Sequence, residues 1–266
     1  MRESEKSQRA VQSVEVGGRL LLALGAGRGP MTLKGLAEAA GMPAARAHPY
    51  LVSFGRLGLV VQEPATGRYA LGPAALQIGL TCLHQLDPVR VAGPVAEGLA
   101  ERTGLAVALA IWGNFGPTVV RMIEARQPLH VAMRAGTVMS ILGTATGRAF
   151  AAALPAERIE HAMARALGDP APAARALLQG RATELQQVRA EVRSHGVARA
   201  VGHPIPGVNA FSAPAFDHER EPAVVITVLG HQDELDPGWD SPGAQAVREA
   251  AAEISRRLGA RAGVSG

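Results

Sequence analysis

The residues best placed to do chemistry in this chain do not form a catalytic set. The G-x-S-x-G nucleophile elbow, the H-E-x-x-H zinc helix and the Walker lysine are all missing; residues 143–148 carry glycines near both ends, but with only three residues between them. His195, His203, His218 and His231 fall in turn-like stretches without carboxylates at metal-ligand spacing, so they read as surface histidines and no metal or cofactor is expected. Asp217, Glu219 and Glu221 share one short turn with His218 and Arg220, which reads as a solvated hairpin tip and not as an acid/base pair. Residues 142–148 are different. Gly143, Thr144, Ala145, Thr146 and Gly147 are small, and a helix opening among them presents unpaired amides that hold carboxylates well. Arg148 either assists such an anion or points to solvent. Asn209 and Thr227 place polar side chains inside otherwise apolar runs, where they need partners. The expectation is a polar or anionic metabolite held between the 143–147 turn and the strands carrying Asn209 and Thr227. The plain alternative is a tight strand-to-helix turn, with Asn209 and Thr227 bonded only to neighbouring backbone.

A second set suits nucleic acid. Residues 1–73 hold nine Lys/Arg against five Asp/Glu, whereas residues 74–266 hold 18 of each, so the whole excess of +4 lies in the first quarter of the chain. Phosphate contacts dominate nucleic-acid affinity, and a small basic module beside a neutral one points to nucleic acid at the N-terminus. Within it Arg46, Tyr50 and Ser53 fall on one helical stripe as candidate groove readers, and Lys34, Arg56 and Arg68 are candidate phosphate contacts.

The elements that must carry these residues follow from periodicity. Residues 11–24 read as a helix weakened by Gly17 and Gly18, and residues 25–30 as a loop. Thr32 is a natural N-cap for a helix whose Leu33, Leu36, Ala37 and Ala40 share one face. Gly41 ends it, and Pro43 suits the first turn of a second helix in which Ala47, Leu51 and Phe54 face inward. Two helices about a short Gly-containing turn make a helix-turn-helix. Residues 59–62 and 68–71 then form two strands about a Pro/Gly turn, a β-wing with Arg68 at its tip. Residues 73–86 form a helix with Leu76, Leu80 and Leu83 in a stripe that suits pairing with a second subunit.

Beyond Asp87-Pro88 the reading is an α+β domain. Strands are expected at 107–112, 118–123, 129–133, 197–201, 209–216 and 223–229, with helices at 147–154, 156–167, 183–195 and 243–258. At 266 residues, 47% hydrophobic and 19% charged, the chain has material for two cores and is not a disordered polymer. No window approaches the roughly 18 apolar residues of a membrane span, and residues 1–9 lack the apolar run of a secretory signal, so a cytoplasmic location is expected. Cys82 is the only cysteine, which forbids an intrachain disulfide.

The same residues resemble the IclR family. Ser13-Val14-Glu15, Met31-Thr32-Leu33-Lys34-Gly35-Leu36-Ala37 and Gly67-Arg68-Tyr69-Ala70-Leu71-Gly72 carry the likeness in the first quarter. Later come Arg134-Ala135-Gly136, Gly143-Thr144-Ala145-Thr146-Gly147-Arg148-Ala149, Pro206-Gly207-Val208-Asn209-Ala210-Phe211-Ser212-Ala213-Pro214 and Val225-Ile226-Thr227-Val228-Leu229-Gly230. The resemblance spans about residues 8–258. It implies an α+β chain with a winged helix-turn-helix over 8–72, a linker helix over 73–88 and a GAF-like sensor domain over 89–260. It also implies a non-enzymatic transcription regulator that binds double-stranded operator DNA as a homodimer or homotetramer and responds to a small organic acid or aromatic effector. One position departs from the family pattern. Pro49 falls inside the second helix, where it removes the amide that would bond to Ala45, so the helix kinks there or starts later, near His48. Pro49 keeps a rival reading open, a small-molecule-binding or metabolic enzyme domain behind a degenerate N-terminal module.

Overall fold

The computed structural model describes residues 10–27, 29–126, 129, 133–166 and 172–260, the side chains of 166 and 172–180 excepted. The chain divides into two compact units, Met1–Leu86 and Asp87–Gly266.

The first unit is built from α1 (Gln12–Ala26), α2 (Leu33–Ala39), α3 (Ala44–Arg56), the short strands β1 (Val60–Gln62) and β2 (Tyr69–Leu71), and α4 (Pro73–Gln85). Val16, Leu20 and Leu24 recur every four residues on α1 and are buried against Leu36 and Ala37 of α2 and Ala47 and Leu51 of α3. Thr32 caps α2, its hydroxyl accepting from the Gly35 amide at 3.2 Å. Gly41, at φ +66°, takes the left-handed conformation that turns the chain from α2 into α3. β1 and β2 pair antiparallel, Val60 opposite Leu71, and Met31 bridges to Tyr69 to tie the hairpin to the residues before α2. α4 buries none of its residues; Leu76, Ile78, Leu80 and Leu83 are all exposed.

Two expectations about α3 change. Pro43 is the N-cap and not a first-turn residue, and the helix runs unbroken from Ala44 through Pro49 to Arg56, so it does not start late at His48. Position explains the tolerance. Pro49 and Ala45 are both exposed, so the Ala45 carbonyl that lacks an amide faces water, the side on which helix carbonyls tilt outward most readily.

The second unit is a five-stranded antiparallel sheet in the order β4-β3-β7-β6-β5, with strands β3 (Ala106–Gly113), β4 (Gly116–Ile123), β5 (Ala198–Val201), β6 (Val208–Phe216) and β7 (Pro222–His231). Five helices cover it: α5 (Pro88–Thr103), α6 (Ala145–Ala153), α7 (Ala156–Ala166), α8 (Pro172–His195) and α9 (Pro242–Arg257). On one face Ala110, Ala198 and Val225 form a core with Phe150 of α6, Ile159 of α7 and Leu185 of α8. The alternate residues Val107, Leu109, Phe211, Ile226 and Val228 are equally buried, and they serve α5 and α9, which pack on each other and on β3, β6 and β7. The helix α5 stands where no helix is expected from the sequence, and α8 begins eleven residues before Thr183. The strand expected at 129–133 falls largely outside the described residues; Leu129 and Met133 pack against the cluster of Ala106, Ala108 and Leu229.

Candidate functional site

In the first unit the outward side of α3 is a single surface. Arg46, Pro49, Val52, Ser53 and Arg56 are exposed at three- and four-residue spacing, opposite the buried Ala47 and Leu51. Tyr50 differs from its stripe-mates. It is half-buried, its ring packs against the core of the unit, and a Cβ on Gly17 of α1 would lie 3.2 Å from its Cδ1. Ser53 donates its hydroxyl proton to the Pro49 carbonyl at 3.0 Å, leaving its lone pairs to accept. Val52 is not legible from the sequence as part of this surface, because an exposed valine carries no charge or hydrogen-bonding signal.

The cations sit less freely than their numbers suggest. Lys34 on α2 lies 3.9 Å from Glu38, a fully exposed pair. Arg68 is exposed at the turn end of the wing, opposite Glu63, and its Nη1 donates to the Pro30 carbonyl at 3.4 Å; the turn itself is closed by a contact between Thr66 and Glu63. Arg56 closes α3 in the last turn and is exposed.

In the second unit Thr144 is the N-cap of α6, its hydroxyl accepting from the Gly147 amide at 3.0 Å and donating to the Ser140 carbonyl at 2.8 Å. Ala145 therefore opens the helix, two residues earlier than expected, and Ala145 and Thr146 keep first-turn amides with no acceptor inside the helix. Gly147 has no room for a side chain: a Cβ there would collide with the carbonyl oxygens of Ser140 and Ile141. Beside this helix start lies a small cavity of about 50 Å³, walled by Thr144, Ala145 and Thr146, by Thr227 and Leu229 of β7, and by Val208 and Ala210 of β6. Met133, Met139, Ala200, His203, Pro204 and Ile205 complete it.

Thr227 is the centre of a buried hydroxyl chain. Its Oγ1 lies 2.9 Å from Thr146 Oγ1 and 2.7 Å from the Oγ of Ser212, its partner across the β6–β7 pair. Three hydroxyls carry three protons and share two bonds, so one proton is left over, on Thr227 if it accepts twice and at an end of the chain otherwise. Directing the chain from Ser212 through Thr227 to Thr146 leaves that proton on the cavity wall. The reverse direction strands it at Ser212, which is completely buried and does not line the cavity. Ser212 sits inside an apolar run, and its role becomes legible only once its register opposite Thr227 is known.

Two residues expected at this helix start act elsewhere. Val208 and Ala210 face the cavity, so Asn209 between them faces the other side of β6. Its Nδ2 donates to the Leu235 carbonyl at 2.8 Å and its Oδ1 accepts from the Gly202 amide at 3.1 Å, which fixes two loops on the side away from the cavity. Arg148 neither meets the helix start nor points to solvent. It donates from Nε to the Leu142 carbonyl at 2.7 Å and from Nη1 to the Arg199 carbonyl at 3.2 Å, clamping the turn that precedes α6 to β5. Gly143 donates its amide to the Ser140 hydroxyl at 3.1 Å and is a turn residue. His195 stacks on Trp239 at 4.1 Å, His203 lines the cavity, and His218 and His231 pair with Glu219 and Asp233. On α9, outside both sites, Arg257 and then Arg256 hold the Glu253 carboxyl below its ordinary value.

Comparison with known proteins agrees with this arrangement over nearly the whole chain. Residues 13–64 match the IclR helix-turn-helix domain and residues 80–256 the family described as Bacterial transcriptional regulator IclR C-terminal. The chain is 30% identical over 259 residues to the Glycerol operon regulatory protein of Streptomyces griseus, covering 95% of this chain and 98% of that one. It is 24% identical over 251 residues to the Transcriptional repressor IclR of Escherichia coli, covering 94% and 90%. The crystal structure of Pseudomonas aeruginosa HmgR superposes with a TM-score of 0.82 at 33% identity, covering 95% of this chain and all of that one. The likeness takes in both the basic first unit with its exposed α3 face and the second unit with its small cavity at a helix start, and the chain belongs to the IclR family of transcription regulators, with a helix-turn-helix DNA-binding domain and a C-terminal effector-binding domain.

Proposed function

We propose that α3 enters the major groove of double-stranded operator DNA and that the observation carrying this is its continuous exposed face. Arg46 and Ser53 read base edges, Val52 and Pro49 offer apolar contact to thymine methyls, and Lys34, Arg56 and Arg68 hold phosphates. Tyr50 supports the helix from beneath and reaches DNA only with its hydroxyl. In the second unit the effector is a small organic acid, its carboxylate on the amides of Ala145 and Thr146 and an acceptor atom on the spare Thr146 proton. At about 50 Å³ the cavity is far below the roughly 300–1,000 Å³ of drug-sized sites, so it favours a short acid over an aromatic one and must widen to admit it. The exposed leucines of α4 pair with a second copy of the chain, giving at least a homodimer. The protein works by binding and not by catalysis, in the cytoplasm; among the described residues no helix is long and apolar enough to cross a membrane.

The test combines two readouts on the full chain. Sheared DNA from its own genome is captured and sequenced, and thermal stability is followed with acetate, lactate, succinate and benzoate in the parent and in Ala210→Phe, which fills the cavity. The expected results are fragments sharing one inverted repeat, and stabilisation by a short acid that Ala210→Phe abolishes. Fragments without a common sequence would remove the DNA reading, and equal stabilisation of both proteins would place the effector elsewhere.

A further inference from the structure

One open cleft of the second unit belongs to neither site. It measures about 690 Å³ and lies between the tip of the β3–β4 hairpin and one face of α7. It shares no lining residue with the cavity beside Thr146. Arg158, His161 and Arg165 fall at i, i+3 and i+7 on α7 and all three line it, with no carboxylate among the lining residues. Glu160 lies on another face of the helix and Glu157, one turn before His161, does not line the cleft; among the described residues neither arginine takes part in a salt bridge. Three basic side chains along one helix face, without an acid to answer them, form a site for an anion.

The opposite wall is aromatic. Trp112 is held edge-on by Phe150 at 5.6 Å between ring centroids, and the Arg158 guanidinium stands 5.8 Å over the indole. Phe115, at the hairpin tip, is 79% exposed and adds a second ring to this wall. Gly113 and Gly116 flank it and keep the backbone of the tip clear of side chains. The volume falls within the roughly 300–1,000 Å³ of small-molecule sites.

We propose that this cleft binds a planar aromatic carboxylate, its ring against Trp112 and Phe115 and its carboxylate on Arg158 and Arg165. The site is a second one on the sensor domain and does not rest on the effector reading above. Arginine forks match a carboxylate in two parallel hydrogen bonds, while the indole and phenyl faces take the flat body.

The experiment uses the full chain labelled with 5-fluorotryptophan, which gives two fluorine resonances because Trp112 and Trp239 are the only tryptophans; Trp239→Phe assigns them. The probe is naphthalene-2-carboxylate, with 2-naphthol and acetate as controls for ring and charge alone. The expected result is a saturable shift of the Trp112 resonance by the naphthoate, retained in Ala210→Phe. Arg158→Gln and Arg165→Gln, both exposed positions, should each weaken it at least about tenfold, the loss of one charged hydrogen bond. Phe115→Ser gives a further variant free of any packing role. An unmoved Trp112 resonance, equal affinity in all three variants, or equally tight binding of 2-naphthol would overturn the proposal.

Discussion

Removing the Thr227 hydroxyl should damage the second unit more than removing either hydroxyl bonded to it. Thr227→Val is isosteric, but it deletes the middle of a three-hydroxyl chain, so both bonds of 2.9 and 2.7 Å disappear and two partners are orphaned. Ser212 is completely buried and has no other hydrogen-bond partner among the described residues, whereas Thr146 borders the cavity and can be met by water. A buried hydroxyl left unpaired costs about 1–3 kcal/mol, which puts Thr227→Val at about 2–4 kcal/mol. Thr146→Val removes only an end of the chain: Thr227 keeps Ser212, and the cost should be about 1 kcal/mol or less. For a unit of this size the difference corresponds to a midpoint lowered by roughly 5–10 °C in the first variant and by a few degrees in the second. Tryptophan fluorescence is the assay, because Trp112 and Trp239 both lie in the second unit and report on it alone. Ser212→Ala combined with Thr227→Val should cost less than the two changes added, since each removes the other's stranded partner. Equal midpoints for Thr227→Val and Thr146→Val, or strict additivity in the double variant, would refute the hydroxyl chain.

Pro49→Ala restores a helix-interior amide on an exposed face and should stabilise the first unit by about 2–3 kcal/mol, read as protection of α3 amides in hydrogen exchange; unchanged protection would mean that the proline costs nothing there. Arg148→Ala should destabilise the second unit by about 1.5–3 kcal/mol per charged hydrogen bond lost and weaken the binding of a short acid indirectly, whereas Arg148→Lys should recover little, since one ammonium cannot serve both carbonyls. Arg56→Ala should weaken duplex binding uniformly across sequences and reduce the slope of log affinity against log salt by about one, while Arg46→Ala should in addition relax base preference at one position.

The parts legible in the sequence are those with a strong period or a strong punctuation mark. The α2 and α3 stripes, the Thr32 cap and the Pro/Gly turn of the wing each announce one local structure, and so do the β-branched runs of β3, β4 and β7. The helix α5 is not legible because its buried face is Ala92, Ala96, Leu99 and Ala100, interrupted by Gly93, Pro94 and Gly98, so it lacks the bulky apolar stripe that marks a helix. Its start is nonetheless written in Asp87, whose Oδ1 accepts from the amides of Val89 and Arg90 at 3.0 and 3.2 Å. The 142–148 segment is recognisable as a helix start, but not which of its groups are already spent. Thr144 is consumed as the cap, and Arg148 reaches Arg199, 51 residues away, a contact no local pattern encodes. Asn209 shows the same limit in a strand. Its polarity announces the need for a partner, but with period-two alternation the side on which that partner lies depends on which neighbours face the sheet's cavity, and that is fixed by packing.

Operator and effector, bound by two units of one chain, should change each other's affinity. The direct measurement is a pair of titrations with the short acid that stabilises the protein most: duplex affinity by fluorescence anisotropy with and without saturating acid, and acid affinity by calorimetry with and without saturating duplex. Because the coupling is a free energy between two binding events, both titrations must return the same factor, expected between about 5- and 150-fold. A duplex affinity that does not move at saturating acid, or two factors that disagree beyond error, would mean that the two sites are not coupled through this chain.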